Sequence, residues 1–545
     1  MRQVGDLPEQ YRLIHALNRL GFGPGPGDVE RINALGVEQY VRAQLHPETI
    51  PIPPELADKV SSYRTLHMTP QALFWEYQLP VMQARRENKG GDKEALREAV
   101  KDQRIRQRIV MREAAEARLL RAIEGPRQLQ EAMTAFWFNH FNVFAGQGLD
   151  YIWTGSFEET AIRPHTMGRF RDLLGATARH PAMLFYLDNW QNTAPNSAGA
   201  KGKFEGINEN YARELMELHT MGVNGGYSQQ DVIALAHILT GWGLPRGRDQ
   251  QPRKSQPKPA AFGLFGPMHR RRFNGGEARR VPPDPGFFYF DADRHDFGDK
   301  VFLGHEIRGS GIQEGEQALD ILARHPATAH HLSYQLAQYF VSDQPPDTLV
   351  QRMVQRYGQT DGDIREVLAV IFTSPEFWDR RAYGVKFKSP YEYVVSCVRA
   401  SNLQVTNYRP LYGTMQLLGM PLYGCQTPNG YANTRDAWLN PDAMMTRLSF
   451  ATAMGNGNLP LDRPPFDEDG EAEKGAAVPR KASANAKVKI QYNPERPHRM
   501  TPPDATRLMR SMGETLSEST GAAIEAAPIQ LRAALVLGSP EFMMR

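Results

Sequence analysis

The run from Val232 to Leu239 is apolar on almost every side of a helix, so it demands a core around it rather than a surface to lie on. Ser228 and Asp231 stand at capping-box spacing just ahead of it. The glycine turn Gly222–Tyr227 separates it from a second helical pattern over 208–220. There Ile207, Tyr211, Leu215 and Leu218 share one side, while Glu209, Arg213 and Glu217 recur every fourth residue on the other, with Asn210 and Glu214 beside them. Two helices joined by a short turn, one of them wanting burial all round, predict a helical scaffold and not a sheet.

The charged face of the first helix has two readings. It is a solvated ladder in which Arg213 pairs with either acid, or it is a site in which Glu214 and Glu217, three residues apart, converge on one point. His219 falls near the apolar side. His237 lies inside the buried run and must find a hydrogen-bond partner, as a core histidine or as a catalytic one. The turn should bring Glu214, Glu217, Arg213 and His237 into one network.

Elsewhere, the stretch 132–144 holds Phe136, Trp137, Phe138, Phe141 and Phe144, too many aromatics for any face to meet water. Asn139, His140 and Asn142 within it are either satisfied in the core or line a pocket. The run 92–123 reads as a charged, solvated helix or exposed arm. In 23–28 the alternating Gly and Pro lack a preceding strand, which leaves a helix–helix turn with Asp28 as N-cap rather than a nucleotide loop.

Turn residues and alternation between Asp291 and His305 predict a small hairpin. His295 and Asp296 in it are candidate metal ligands, although the spacing lacks the glycine and terminal glutamate of a calcium loop. His330 and His331 are adjacent on one helix and point about 100° apart, a poor pair for one ion. The sequences 368–377 and 535–542 both end in Ser-Pro-Glu-Phe, a reused capping element or the remnant of a duplication.

These blocks, in order, carry a resemblance to a known family. They are His15 to Pro24, Ala135 to Phe141, Pro181 to Leu184 with Leu187-Asp188-Asn189, Asn208 to Trp242, His295-Asp296, Lys300 to Gly304, Lys388-Ser389-Pro390 and Ser539 to Phe542. In this respect the chain resembles the bacterial proteins grouped as domain of unknown function 1800. The resemblance carries no activity with it. Asp188, Asn139, His140, Asn210 and Trp242 stand as candidate substrate-binding positions.

The expected fold is mainly α: one large multi-helix domain over 1–545 with short β-hairpins and two inserted disordered loops, a basic one at 245–285 and another at 456–499. The first would leave and re-enter beside the candidate site and could serve as a lid. With 545 residues, 41% hydrophobic and a net charge of +3, the chain is globular in composition and does not suggest nucleic-acid binding. No run of about 18 apolar residues predicts a membrane span. Cys397 and Cys425 permit at most one disulfide. Charges throughout Met1–Leu20 predict a cytoplasmic protein, or a periplasmic or secreted one if a leader has been removed, as the export of many family members suggests.

Neither a Gly-x-Ser-x-Gly elbow nor His-Glu-x-x-His, a Walker loop or Cys-x-x-Cys occurs, which leaves carboxylate and histidine chemistry. The expectation is a hydrolase, with or without a divalent metal, in which Glu214 and Glu217 act as base or ligands, Arg213 holds an anion or carbonyl, and His219, His237 or His295 is the acid or a further ligand. The competing expectation is a non-catalytic binding or assembly protein that acts with a protein partner; the oligomeric state is open. Burial of the Glu209–Glu217 face beside His237 or His295 separates the two.

Overall fold

The computed structural model describes residues 5–87, 93–202, 204–245, 286–463 and 500–545. The protein is mainly α-helical, with two two-stranded antiparallel sheets among the described residues. Most of the expected insertions 245–285 and 456–499, with the lid and disorder readings attached to them, lies outside those residues.

Local chemistry fixes the helix starts. Ser228 accepts from the backbone of Asp231 while the Asp231 carboxylate accepts from Ser228, so the capping box opens the helix Gln229–Ile238 as expected. His180 and His325 both cap with Nδ1, each accepting from the amide two residues on, and each is followed by proline at the first helical position. The repeated Arg-His-Pro-Ala at 179–182 and 324–327 is therefore one capping device used twice, which the sequence reading passed over.

The Ser-Pro-Glu-Phe echo also has one geometry. Ser374 Oγ donates to Ile371 O and accepts from Phe377 N, and Ser539 Oγ does the same with Val536 O and Phe542 N.

Two apolar clusters form the core. The larger gathers Trp137, Phe141, Trp153, Phe170, Val232, Leu235 and Trp242; the other gathers Phe22, Leu120, Tyr393, Val394, Leu411 and Phe542. The aromatic helix Gln128–His140 is buried as predicted. The helix Lys93–Glu124 is not the solvated arm expected of its charges, because Ala114, Ala117, Leu119, Leu120 and Ala122 are buried along its second half. Its Arg118 and Arg121 reach Glu158 and Glu159, so even the charges of that half face protein. At the glycine–proline turn, Gly27 rather than Asp28 is the N-cap; Asp28 begins the helix and accepts from Gly25 N. Cys397 and Cys425 are free thiols.

The strands Trp242–Gly243 and Tyr289–Phe290 pair antiparallel, Trp242 opposite Phe290, which brings the chain back beside the helix Gln229–Ile238 after 246–285. The hairpin Lys300–Phe302 with His305–Ile307 appears where turn chemistry placed it, and Leu303 and Gly304 adopt the positive φ its tight turn requires. Leu303 N donates to Asp231, so the hairpin is docked on the same helix.

Candidate functional site

The helix Asn210–Glu217 ends where Leu218 N and His219 N share the Glu214 carbonyl. Gly222 then takes φ +80°, and a Cβ there would lie 2.8 Å from His331 Nδ1, so only glycine fits this reversal. Beyond it, Arg213 sits against the first turn of the next helix: Nη2 donates to Gln229 at 2.8 Å and to Glu209 at 3.1 Å, while Nη1 reaches Glu217 at 3.4 Å. Glu209, Arg213 and Glu217 keep a quarter to a third or more of their side chains in solvent. That is the ion-pair ladder, not an enclosed cleft.

Glu214 differs from its neighbours. It is half-buried, and burial followed by the like charge of Glu217 raises its carboxyl above the usual range against the pull of Arg213. His237 does not join it. Gln229 and His237 are eight residues apart on one helix, about 12 Å at a 1.5 Å rise, so Arg213 and His237 occupy opposite ends of that helix. The expected shared network is thus two networks.

The second is built around the loop 291–296. Arg294, fully buried, donates to the carbonyls of Trp190 and Asn192 and to Thr193 Oγ1, and this strap sets the loop against the end of the His237 helix. His237 Nδ1 lies 2.7 Å from Asp296 Oδ2. Thr240 Oγ1 donates to His237 O and accepts from Asp296 N, fixing both backbones. Asp296 Oδ1 accepts from Gly298 N. Burial alone would raise the Asp296 carboxyl; the Gly298 amide, Lys300 and His237 outweigh it and hold the group below the ordinary carboxylate range.

Behind this pair lies a fully buried support. His295 Nδ1 donates to Thr240 O at 2.7 Å and Nε2 meets Glu314 Oε1 at 2.9 Å. Glu314 also accepts from Ser310 N, Gly311 N and Lys300 Nζ. Lys300 Nζ donates in addition to the carbonyls of Asp296 and Gly298. Lys300, Glu314 and Thr240 were missed from sequence. A signal existed for Glu314 alone, at capping-box spacing from Gly311.

With both ring nitrogens engaged, His295 has no lone pair to offer a cation, and Asp296 serves His237 and Gly298. Among the described residues no three His, Cys, Asp or Glu side chains converge as a metal shell. The proposed metal ligands His295 and Asp296 are hydrogen-bonded parts of this network instead.

The remaining candidates are scattered. His219 is buried beside Phe141 and His140, with neither ring nitrogen hydrogen-bonded, and burial together with His140 pushes it well below the ordinary imidazole range. His140 Nε2 donates to His219 O and Nδ1 pairs with the Gln335 side chain. Burial, with His331 beside it, pushes its pKa down to about 4. Asn139 clamps the backbone of Tyr431 through both amide atoms. Asp188 adopts φ +60° and accepts from Gln191. Asn210 donates to Leu187 O. Trp242 is fully buried, its ring so close to Gly315 that a Cβ there would lie 2.1 Å away. Each does identifiable packing or bonding where it stands.

Two clefts lie away from His237. One is bordered by Arg118, Asn139, Asn142, Tyr423, Tyr431 and Trp438, and the other by His15, Asn18, Lys388, Ser396, Met512 and Phe542. Asn139 thus borders a cleft while also being bonded to Tyr431, so the two readings of that side chain are both met.

A mainly α scaffold with a hairpin-docked histidine–aspartate pair is the class this geometry defines. The chain belongs to the family described as "Protein of unknown function (DUF1800)", whose profile matches residues 15–544. Comparison with curated proteins and with solved structures finds no match. No helix among the described residues is long and apolar enough to cross a membrane.

Proposed function

We propose that the protein is a hydrolase in which His237, oriented by Asp296, moves the proton. The observation that carries this reading is the 2.7 Å contact from His237 Nδ1 to Asp296 Oδ2, with both side chains a little under one-third exposed. A carboxylate held at Nδ1 fixes the tautomer that leaves Nε2 as a base, and Nε2 has no hydrogen-bond partner among the described residues. A water deprotonated there would attack an amide or phosphoester, and the imidazolium would return the proton to the leaving group. Lys300 and Glu314 hold the loop that carries Asp296, so the carboxylate stays in line while the ring changes charge. Glu214, displaced from this pair, is a candidate acid at a neighbouring position and not a partner of His237.

His237→Gln and Asp296→Asn in the full chain, assayed against amide and phosphoester panels, test it. Each should lose on the order of 10²- to 10⁴-fold in turnover, while the melting temperature moves only by what ~1 kcal/mol of one partly exposed hydrogen-bonded pair accounts for. Wild-type rates in both variants would remove His237 from the chemistry. No turnover of either class would sink the hydrolase at His237.

A second reading, a binding protein acting with a protein partner, is favoured by Phe297 and Val301, which stand more than half exposed on the hairpin side of the same site. In that case the two substitutions leave partner capture unchanged while Phe297→Ser weakens it.

A further inference from the structure

The chain passes from Lys388 directly into the capping box of Ser389 and Glu392, which opens the helix Pro390–Ser401 and sets Ser396 two turns along it. Lys388 folds back over this start. Its Nζ lies 2.8 Å from Ser396 Oγ and 2.8 Å from Phe542 O, with the Phe542 ring 4.3 Å away. Both residues border the second of the two clefts. Across it stands Asn18. Gly23 is where the two sides meet: a Cβ there would lie 2.9 Å from Ser396 Oγ and 3.0 Å from Asn18 Oδ1. Asn18 Nδ2 has no hydrogen-bond partner among the described residues. His15, also on the cleft, donates through Nε2 to Phe377 O and leaves Nδ1 buried and unpartnered.

The charge around this pair is unbalanced. Arg19, Lys386, Lys388, Arg447 and Arg545 are all buried in one region, and the carboxylates that act on them are Asp343 and Glu392. Asp343 serves Lys386, and Glu392 serves Arg545 at 2.6 Å. Arg19 donates to Phe340 O and Ala382 O, and Arg447 donates to Lys388 O and stacks on Phe387 and Tyr393. Buried charge without a counter-ion is costly, and the group that sheds its proton most readily relieves the cost. That group is Lys388, which burial brings down to about 7, with Arg447 and Arg545 acting in the same direction against Cys397 and Glu392. Of the arginines only Arg545 borders the cleft, and the Glu541 carboxylate, which burial would raise but Ser517 and Thr520 hold below its usual range, borders it too, so the developing oxyanion depends on the Asn18 amide rather than on a net positive field.

We propose that Ser396 and Lys388 form a nucleophile–base dyad that cleaves acyl esters bound in this cleft, independently of His237. Neutral Lys388 Nζ takes the proton from Ser396 as Oγ bonds to the ester carbonyl carbon, and the carbonyl oxygen takes the negative charge beside Asn18. Collapse of this adduct breaks the carbon–alkoxy bond, and the leaving alcohol carries away the proton from Lys388. Water then attacks the acyl-serine; its proton passes to Lys388 and on to Ser396 Oγ as the acid departs. The acyl chain lies along Met512 and Phe542, and His15 Nδ1 accepts from a donor on the substrate.

The test is covalent labelling of the full chain with a fluorophosphonate ester, which bonds phosphorus to an activated serine with loss of fluoride, followed by peptide mass mapping. The adduct should map to Ser396, and its rate of formation should rise about tenfold from pH 6 to pH 8 as Lys388 loses its proton. Ser396→Ala should abolish the adduct and Lys388→Met should slow it on the order of a hundredfold. His237→Gln should label as the wild type does, which separates this dyad from the His237 site. A folded wild type that gives no adduct at Ser396 up to pH 9 overturns the proposal whatever the variants do. So does a labelling rate unchanged in Lys388→Met.

Discussion

A residue's type was visible in the sequence far more often than its partner. His237 stood out because a polar ring in an apolar run must be satisfied, and it is, but by Asp296, 59 residues on. No helical period connects those two positions. Trp242 stood as a candidate substrate-binding position and His219, near the apolar side of its helix, as a candidate acid, and both side chains are buried. His140 gives a test at this scale. Its folded-state pKa of about 4 lies below the ordinary imidazole value, so the folded protein favours the neutral ring. The stability this contributes is complete above about pH 6.5 and is lost as pH falls towards 4, because the unfolded chain takes up the proton first. A shift of that size corresponds to about 3 kcal/mol. Urea unfolding at pH 7, 5.5 and 4 should show His140→Gln losing about 3 kcal/mol less than wild type over that interval. Equal losses would mean that His140 titrates normally in the folded state.

At the scale of elements, periodicity and capping chemistry were informative because both are local. The box at Ser228, the hairpin at Lys300–Ile307 and the burial of Gln128–His140 follow from residues within a few positions of each other. The helix Lys93–Glu124 was misread for the opposite reason. Its charges look solvated until Glu158 and Glu159, on a distant segment, are found facing Arg118 and Arg121. The twin Ser-Pro-Glu-Phe turns are local again, and their use as caps is open to measurement. Each serine satisfies an amide that is otherwise buried without an acceptor, so Ser374→Ala and Ser539→Ala should each cost ~0.5–2 kcal/mol, as the loss of a helix cap does. The urea midpoint should fall in both with the slope unchanged. A neutral effect at either position would show that the two turns share a sequence but not a role.

For the whole molecule, the contacts that join the two ends of the chain are those that no local pattern discloses. Arg399 is the clearest. From the helix Pro390–Ser401 its Nε donates to Gly23 O, its Nη1 to the carbonyls of Ala122 and Ile123, and its Nη2 to Asp28 at 2.9 Å. One planar cation thereby ties the first glycine turn, the end of the long helix and the second apolar cluster together. Asp28 is only 14% exposed and keeps Arg31 at 2.7 Å and the Gly25 amide when Arg399 is removed, so the cost lies in the buried carbonyls and the one carboxylate oxygen that lose their shared donor. Loss of hydrogen bonds from a buried charged group costs roughly 1.5–3 kcal/mol. Arg399→Ala should therefore lower the free energy of unfolding by that amount, and the midpoint with it. Arg399→Lys should recover little of it, because an ammonium cannot reach three directions at once. If Arg399 joins the two clusters into one cooperative unit, far-ultraviolet circular dichroism and the tryptophan fluorescence of a Trp438→Phe background should report the same lowered midpoint, since every tryptophan but Trp438 lies in or against the cluster that Arg399 does not enter. A drop in ellipticity at a lower midpoint with the fluorescence transition unmoved would show that the clusters unfold separately and that the arginine stabilises one of them alone.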